Sequence, residues 1–138
     1  MSYATIDDLK KQLPEDMLVQ LTDDAGAGAI DAVVADNALE TAAVEIDGYL
    51  AGRYTLPLSP VPAVVVKLAV DIAVYNLYAR RGGPPEHWQK RYDNTIRFLE
   101  RIGDGRIGLG ADDPTEGSSD AEAVVPVRLF SRGSMGGL

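Results

Sequence analysis

His87 is the single histidine of the 138-residue chain, and there is no cysteine. Imidazole is the side chain best suited to proton transfer near neutral pH and is the commonest metal ligand. Neither use fits here. No second histidine or thiolate can share a metal, and no GxSxG elbow supplies a serine for the imidazole to activate. His87 therefore reads as a residue of a helix start, beside Trp88. The lack of cysteine also excludes disulfides and thiolate chemistry.

Two further patterns carry less chemistry than their letters suggest. Gly103-Asp104-Gly105-Arg106-Ile107-Gly108 matches GxGxxG. It follows a helical segment rather than a strand and opens no helix, so it lacks the βαβ frame a dinucleotide needs. Asp23-Asp24 and Asp112-Asp113 are short acidic runs without the alternating ligand spacing of an EF-hand loop, and they read as solvated turns. Asp71 and Asn76 lie inside the most apolar segment. No partner constellation supports catalysis by either, so they are expected to be buried polar contacts that fix register or subunit pairing. No catalytic residue, cofactor or metal ligand is expected.

The elements that place these residues are helical. Thr5 with Asp8 three positions on approaches a capping box for a helix over Ile6–Gln12. Pro14-Glu15-Asp16 opens a second, to which Met17, Leu18 and Leu21 give an apolar side. From Ala29 to about Ala51, Leu39, Ala42, Ala43, Ile46, Tyr49 and Leu50 form an alanine-rich stripe. Gly52 follows as a C′ candidate, with Arg53 placed to favour that C-terminal dipole. The last long helix, about Pro85–Ile102, carries Trp88, Tyr92, Thr95, Ile96, Leu99 and Ile102 on one face. Its other face holds the acid-first pairs Glu86–Lys90 and Asp93–Arg97.

The chain is organised around Tyr54–Arg81, YTLPLSPVPAVVVKLAVDIAVYNLYARR. Pro57, Pro60 and Pro62 hold its first third extended. A helix over Ala63–Arg80, with Ser59 as its cap, is roughly 27 Å long at 1.5 Å per residue. Val65, Leu68, Ala69, Ile72, Tyr75 and Ala79 make the core stripe. Val66, Val70, Ala73, Val74, Leu77 and Tyr78 lie off it and are mostly apolar too. A helix apolar nearly all round must be buried nearly all round. Either the chain's own neighbouring helices cover it or another subunit completes the cover. The second alternative nominates Val70, Asp71, Val74 and Tyr78 as an interface.

Beyond Gly103 the composition turns glycine-rich and acidic, then ends in AVVPVRLF and SRGSMGGL. The expectation is a 1–102 helical domain followed by a 103–138 arm carrying a short strand. Pro126 restricts that strand to an edge. Fully extended, the arm could reach about 120 Å at ~3.3 Å per residue. The formal charge of −8 disfavours wrapping duplex DNA, because such binding is driven by phosphate neutralisation. Val61–Ala79 holds Lys67, Asp71 and Asn76, too polar for a bilayer, and MSYATIDDLKK lacks the pattern of a secretory signal.

Four stretches together, YATIDDL, LAGRYTLPLSPVP, KLAVDIAVYNLYARR and RLFSRGSMGGL, resemble the small Mu-like phage neck proteins, the head–tail connectors or adaptors. The resemblance implies an all-α bundle with no catalytic residues. It further implies a homo-oligomeric ring between the portal protein and a tail-side neck or terminator protein, with DNA passing through its centre. The place of action would then be the virion neck, after synthesis in the host cytoplasm. On this reading the C-terminal arm, through Val125, Val127, Leu129, Phe130, Arg132 and Met135, contacts partners by strand addition or pocket filling. The rival reading is a small soluble dimeric regulatory or binding module of helical fold.

Overall fold

The computed structural model describes residues 2–109, and among these there are five helices and no strand. They are α1 (Ile6–Gln12), α2 (Glu15–Thr22), α3 (Ala32–Leu50), α4 (Ala63–Ala79) and α5 (Glu86–Gly103). The chain divides into Met1–Ile107 and Gly108–Leu138, and all five helices belong to the first unit. The expected C-terminal strand and the arm residues Val125, Val127, Leu129, Phe130, Arg132 and Met135 lie outside the described residues.

Helices α3, α4 and α5 each pack against the other two, and α1 and α2 close over α3 and α4. Ala35, Ala38, Ala42 and Ala43 are buried on the inner side of α3, where small side chains allow α4 to approach closely. Leu39, Ile46, Ile72, Val74, Leu77, Leu99 and Ile102 are essentially sealed from solvent. Each fully buried aliphatic side chain of this kind contributes about 1.5–3 kcal/mol.

The helix starts follow local chemistry. Thr5 and Asp8 form the complete capping box. The Asp8 carboxyl is held below its usual range, chiefly because it accepts from the Thr5 backbone N–H. Helix α3 begins later than the apolar pattern suggested, because Asp31 caps it by accepting from the N–H groups of Val33 and Val34. Ser59 does not cap α4. Pro62 occupies the N-cap position and makes no side-chain cap bond. The bridge before it contains cis bonds at Leu56–Pro57 and Ser59–Pro60.

The glycine-rich string after α5 closes that helix. Gly105, at φ 87°, takes the left-handed conformation that glycine adopts without a Cβ penalty. The Arg106 N–H then returns to the Arg101 carbonyl at 2.9 Å, and the Gly105 N–H to Ile102 at 3.1 Å. Arg53 serves this end of α5 rather than the end of its own helix, its Nη1 donating to the Ile102 carbonyl at 2.7 Å. The two helices meet closely here: a Cβ built on Gly103 would sit 2.6 Å from the Tyr49 carbonyl oxygen.

Phenols, buried at Tyr3 and half-buried at Tyr75 and Tyr92, tie the layers together. Tyr92 of α5 stacks on Tyr75 of α4 with ring centroids 3.8 Å apart, and its hydroxyl donates to Glu45 of α3 at 2.8 Å. Tyr3 donates to Asp47 at 2.5 Å and accepts from the Leu58 N–H at 3.1 Å, joining the N-terminus, α3 and the proline bridge. Burial raises both phenol pKa values, and the carboxylate partners raise them further.

Two measurements check this packing. Gly103→Ala should destabilise the fold by about 1–3 kcal/mol in urea unfolding, because its methyl must displace backbone. Gly48→Ala, with nothing within 4 Å of its added Cβ, should be neutral or stabilising by up to about 1 kcal/mol. The phenols set an alkaline limit. Their folded pKa values are raised, so unfolded tyrosines lose protons first, and the phenols' contribution, complete below pH ~10, falls as pH climbs beyond it. Unfolding midpoints followed across that window should decline, and Tyr92→Phe should flatten part of the slope.

Candidate assembly surfaces

The off-stripe residues of α4 are not an outward patch. Val70 is 3% exposed, Asp71 1% and Val74 0%, and only Tyr78 keeps partial exposure. The four other helices all contact α4, so the chain supplies the cover that the sequence left open between itself and a neighbour. This corrects the expectation that Val70, Asp71 and Val74 form an intersubunit face: they have almost no surface to offer one.

Asp71 is instead the hub of a charged cluster. Its Oδ1 accepts from Arg91 Nη2 at 2.7 Å, and its Oδ2 from Lys67 Nζ at 2.8 Å and Thr95 Oγ1 at 3.3 Å. Arg91 also reaches Gln12 of α1 and lies 4.0 Å over the Trp88 ring. Helices α1, α4 and α5 are thereby fixed in register. A cavity of about 280 Å³ opens beside the cluster, lined with Val64, Leu68 and Phe98 as well as the charged groups. Both oxygens of Asp71 are engaged by donors. That arrangement orders the bundle.

Asp23 and Asp24, read from sequence as solvated turns, have separate tasks. Asp23 accepts from the N–H groups of Ala27 and Gly28, which holds its carboxyl below the usual range and shapes the loop before α3. Asp24 pairs with both Arg80 and Arg81 at the end of α4. His87 is exposed beside Trp88, with ring centroids 5.9 Å apart. No group of three or more metal-ligating side chains occurs among the described residues, and no described helix is long and apolar enough to cross a membrane. On α5, Glu86–Lys90 forms at 3.4 Å as its spacing suggests. Asp93 instead accepts from Gln89, and Arg97 donates to Asn94.

Charge is divided unevenly along the described sequence. Residues 1–51 carry eleven carboxylates against two lysines, a net −9, whereas residues 52–109 carry nine lysines and arginines against five carboxylates, a net +4. Asp36 and Glu40 are exposed on α3, and so are Lys90, Arg97 and Arg101 on α5. The two large apolar side chains most exposed among the described residues, Val33 at 68% and Val44 at 69%, both sit on α3. The overall charge gives no hint of this division, although a running count along the sequence would have shown it.

The family model described as "Bacteriophage Mu, Gp36" matches residues 3–127. "Gene product J" of Escherichia phage Mu is 36% identical over 141 residues, covering 99% of this chain and 99% of its own. A second relative, "Mu-like prophage FluMu protein gp36" of Haemophilus influenzae, is 39% identical over 114 residues, covering 83% of this chain and 79% of its own.

The Asp71 cluster carries its own test. Asp71→Ala removes the buried acceptor shared by Arg91, Lys67 and Thr95 and should cost about 1–3 kcal/mol in chemical denaturation. Lys67→Ala, at a side chain that is 63% exposed, should cost less than about 1 kcal/mol.

Proposed function

The chain belongs to the bacteriophage Mu Gp36 family, and from that premise we propose that it is a structural virion protein, a head–tail connector. Its copies form a ring between the portal protein and a tail-side neck or terminator protein. DNA passes through the centre without sequence-specific binding. The connector acts in the virion neck after synthesis in the host cytoplasm.

The observation that carries this reading is the opposed charge of the two halves, −9 over residues 1–51 against +4 over residues 52–109. A closed ring is built from heterologous contacts, in which one patch of each copy meets a different patch of the next. A sequence whose two halves differ in sign can supply patches of both signs for such contacts. The similarity to neck proteins along YATIDDL, LAGRYTLPLSPVP and KLAVDIAVYNLYARR supports the same reading. The C-terminal arm, through Val125, Val127, Leu129, Phe130, Arg132 and Met135, makes the contacts in trans.

A phage carrying an early stop in this gene should yield filled heads and free tails that do not join, scored by electron microscopy of the lysate. The full-length chain supplied in trans should restore joining. A chain lacking residues 123–138 should not, while keeping the wild-type unfolding midpoint. Normal particles from the stop mutant would refute the connector reading, and unchanged assembly and partner binding by the truncated chain would refute the role of the arm.

A further inference from the structure

The helical body leaves a hollow of about 280 Å³ unfilled between α4 and α5. Its apolar wall is Leu68, which is buried, with Val64 and Phe98, which are half-buried. Lys67, Arg91 and Asn94 supply its polar side, together with the buried Asp71 and Thr95. Both Asp71 oxygens are taken by Lys67, Arg91 and Thr95, so the lining holds two cations against one engaged carboxylate. The other acids of the two helices leave that balance unchanged. Asp71 is the one carboxylate of α4, Glu86 pairs with Lys90, and Asp93 accepts from Gln89. Glu100 lines a separate groove with Tyr49 of α3, and Gln12, the α1 side chain that Arg91 reaches, is neutral. A hollow of this size, at the lower end of the ~300–1,000 Å³ span of ligand pockets, takes a few side chains of a peptide.

We infer that this α4–α5 groove receives the apolar run Val125–Phe130 from the C-terminal segment of a second copy of the chain. This deepens the connector reading and rests on it, by naming where the arm docks. The occupant follows from the order of residues in that segment. Val125, Val127 and Leu129 alternate, so an extended chain presents all three on one side, as a hollow walled by Val64, Leu68 and Phe98 requires. Asp112, Asp113, Glu116, Asp120 and Glu122 precede the run, and no lysine or arginine falls between Arg106 and Arg128. That acidic stretch complements the cations Lys67 and Arg91 of the groove. Arg128, at an even position, falls on the opposite side of an extended chain from the three apolar residues. From residue 110 to residue 125 the chain can stretch about 50 Å at ~3.3 Å per residue, about twice the length of α4. It is therefore long enough to reach a neighbouring copy. Each copy offers one groove and one segment, which is a heterologous pair that repeats around a closed ring.

Two experiments test the docking. The first titrates a fluorescein-labelled peptide of residues 110–132 against the full-length chain and follows anisotropy. The receptor carries Val125→Asp, Val127→Asp and Leu129→Asp, so that its own segment does not compete. Binding should be saturable. Phe98→Ala in the receptor should weaken it about tenfold, by removing part of the apolar wall. Asn94→Glu, at an exposed position of the lining, should weaken it about threefold with the unfolding midpoint unchanged. No saturation by about 1 mM, or equal affinity for the receptor and both variants, would overturn the docking. The second experiment uses the absence of cysteine from the chain. Asn94→Cys and Val127→Cys are introduced separately and together, and phage particles grown on each variant are treated with a flexible bis-maleimide. The double variant should give a ladder of dimers, trimers and higher species, and each single variant background alone. A cross-linked monomer without a ladder would place the segment in its own groove, and dimers from Val127→Cys alone would show segments meeting each other. Either result, or no cross-link at all, would overturn docking between copies. Whether the wild-type chain is present in particles is scored separately. Its absence would sink the connector reading, while the peptide titration would still decide the groove.

Discussion

A helix that is apolar on every side has to be surrounded, and in this chain α4 is surrounded by its own polypeptide. Helices α1, α2, α3 and α5 all contact it, and Val65, Ile72, Val74 and Leu77 are sealed. The rest of the architecture follows from that enclosure. The short helices α1 and α2, which would be marginal alone, are held because they roof the central helix. The one carboxylate inside it is tolerated because Arg91, Lys67 and Thr95 converge there from two helices. Enclosure also moves any assembly contact outward, onto the helices that do the enclosing.

Much of this was legible in the residues. The capping box, the stripe of α5 and the position of α4 followed from spacing that admits few alternatives. The misreadings concern partners far apart in sequence. Nothing near Arg53 shows that it will serve the carbonyls of α5, because the close approach of Gly103 to Tyr49 is a property of the packed pair. The same holds for Asp24, whose arginines lie at the far end of α4. Periodicity says how much of a helix needs cover. It cannot say whose atoms provide it, so the pattern leaves both alternatives open at Val70, Asp71 and Val74, which are buried within one copy.

GxGxxG illustrates how one string serves different physics. In a dinucleotide site its glycines let a pyrophosphate approach a helix N-terminus. Here Gly103 lets α3 approach α5, and Gly105 adopts the left-handed turn that ends the helix. The backbone groups are spent on capping: the Gly105 and Arg106 N–H groups return to Ile102 and Arg101, and Arg53 takes the remaining Ile102 lone pair. The α5 C-terminus is thus fixed firmly at the point where the chain leaves the helical body. A C-terminal segment that engages a partner needs such a fixed origin, since otherwise tension on the segment would fray the helix before reaching the core.

Exposed ion pairs are individually worth about 0–1 kcal/mol and are screened over about 8 Å at physiological salt. A contact between two copies made of such pairs would therefore be weak for an isolated pair. In a closed ring each copy makes two such contacts, and a template that already holds several copies raises the effective concentration of the next. Weakness at one contact combined with strength in a ring would favour assembly where a template presents the first contacts. An interface built from the sealed surface of α4 would have behaved in the opposite way. So much apolar area would hold copies together wherever they met, and order of assembly would be lost. Enclosing α4 within its own chain removes that apolar area from any contact between copies.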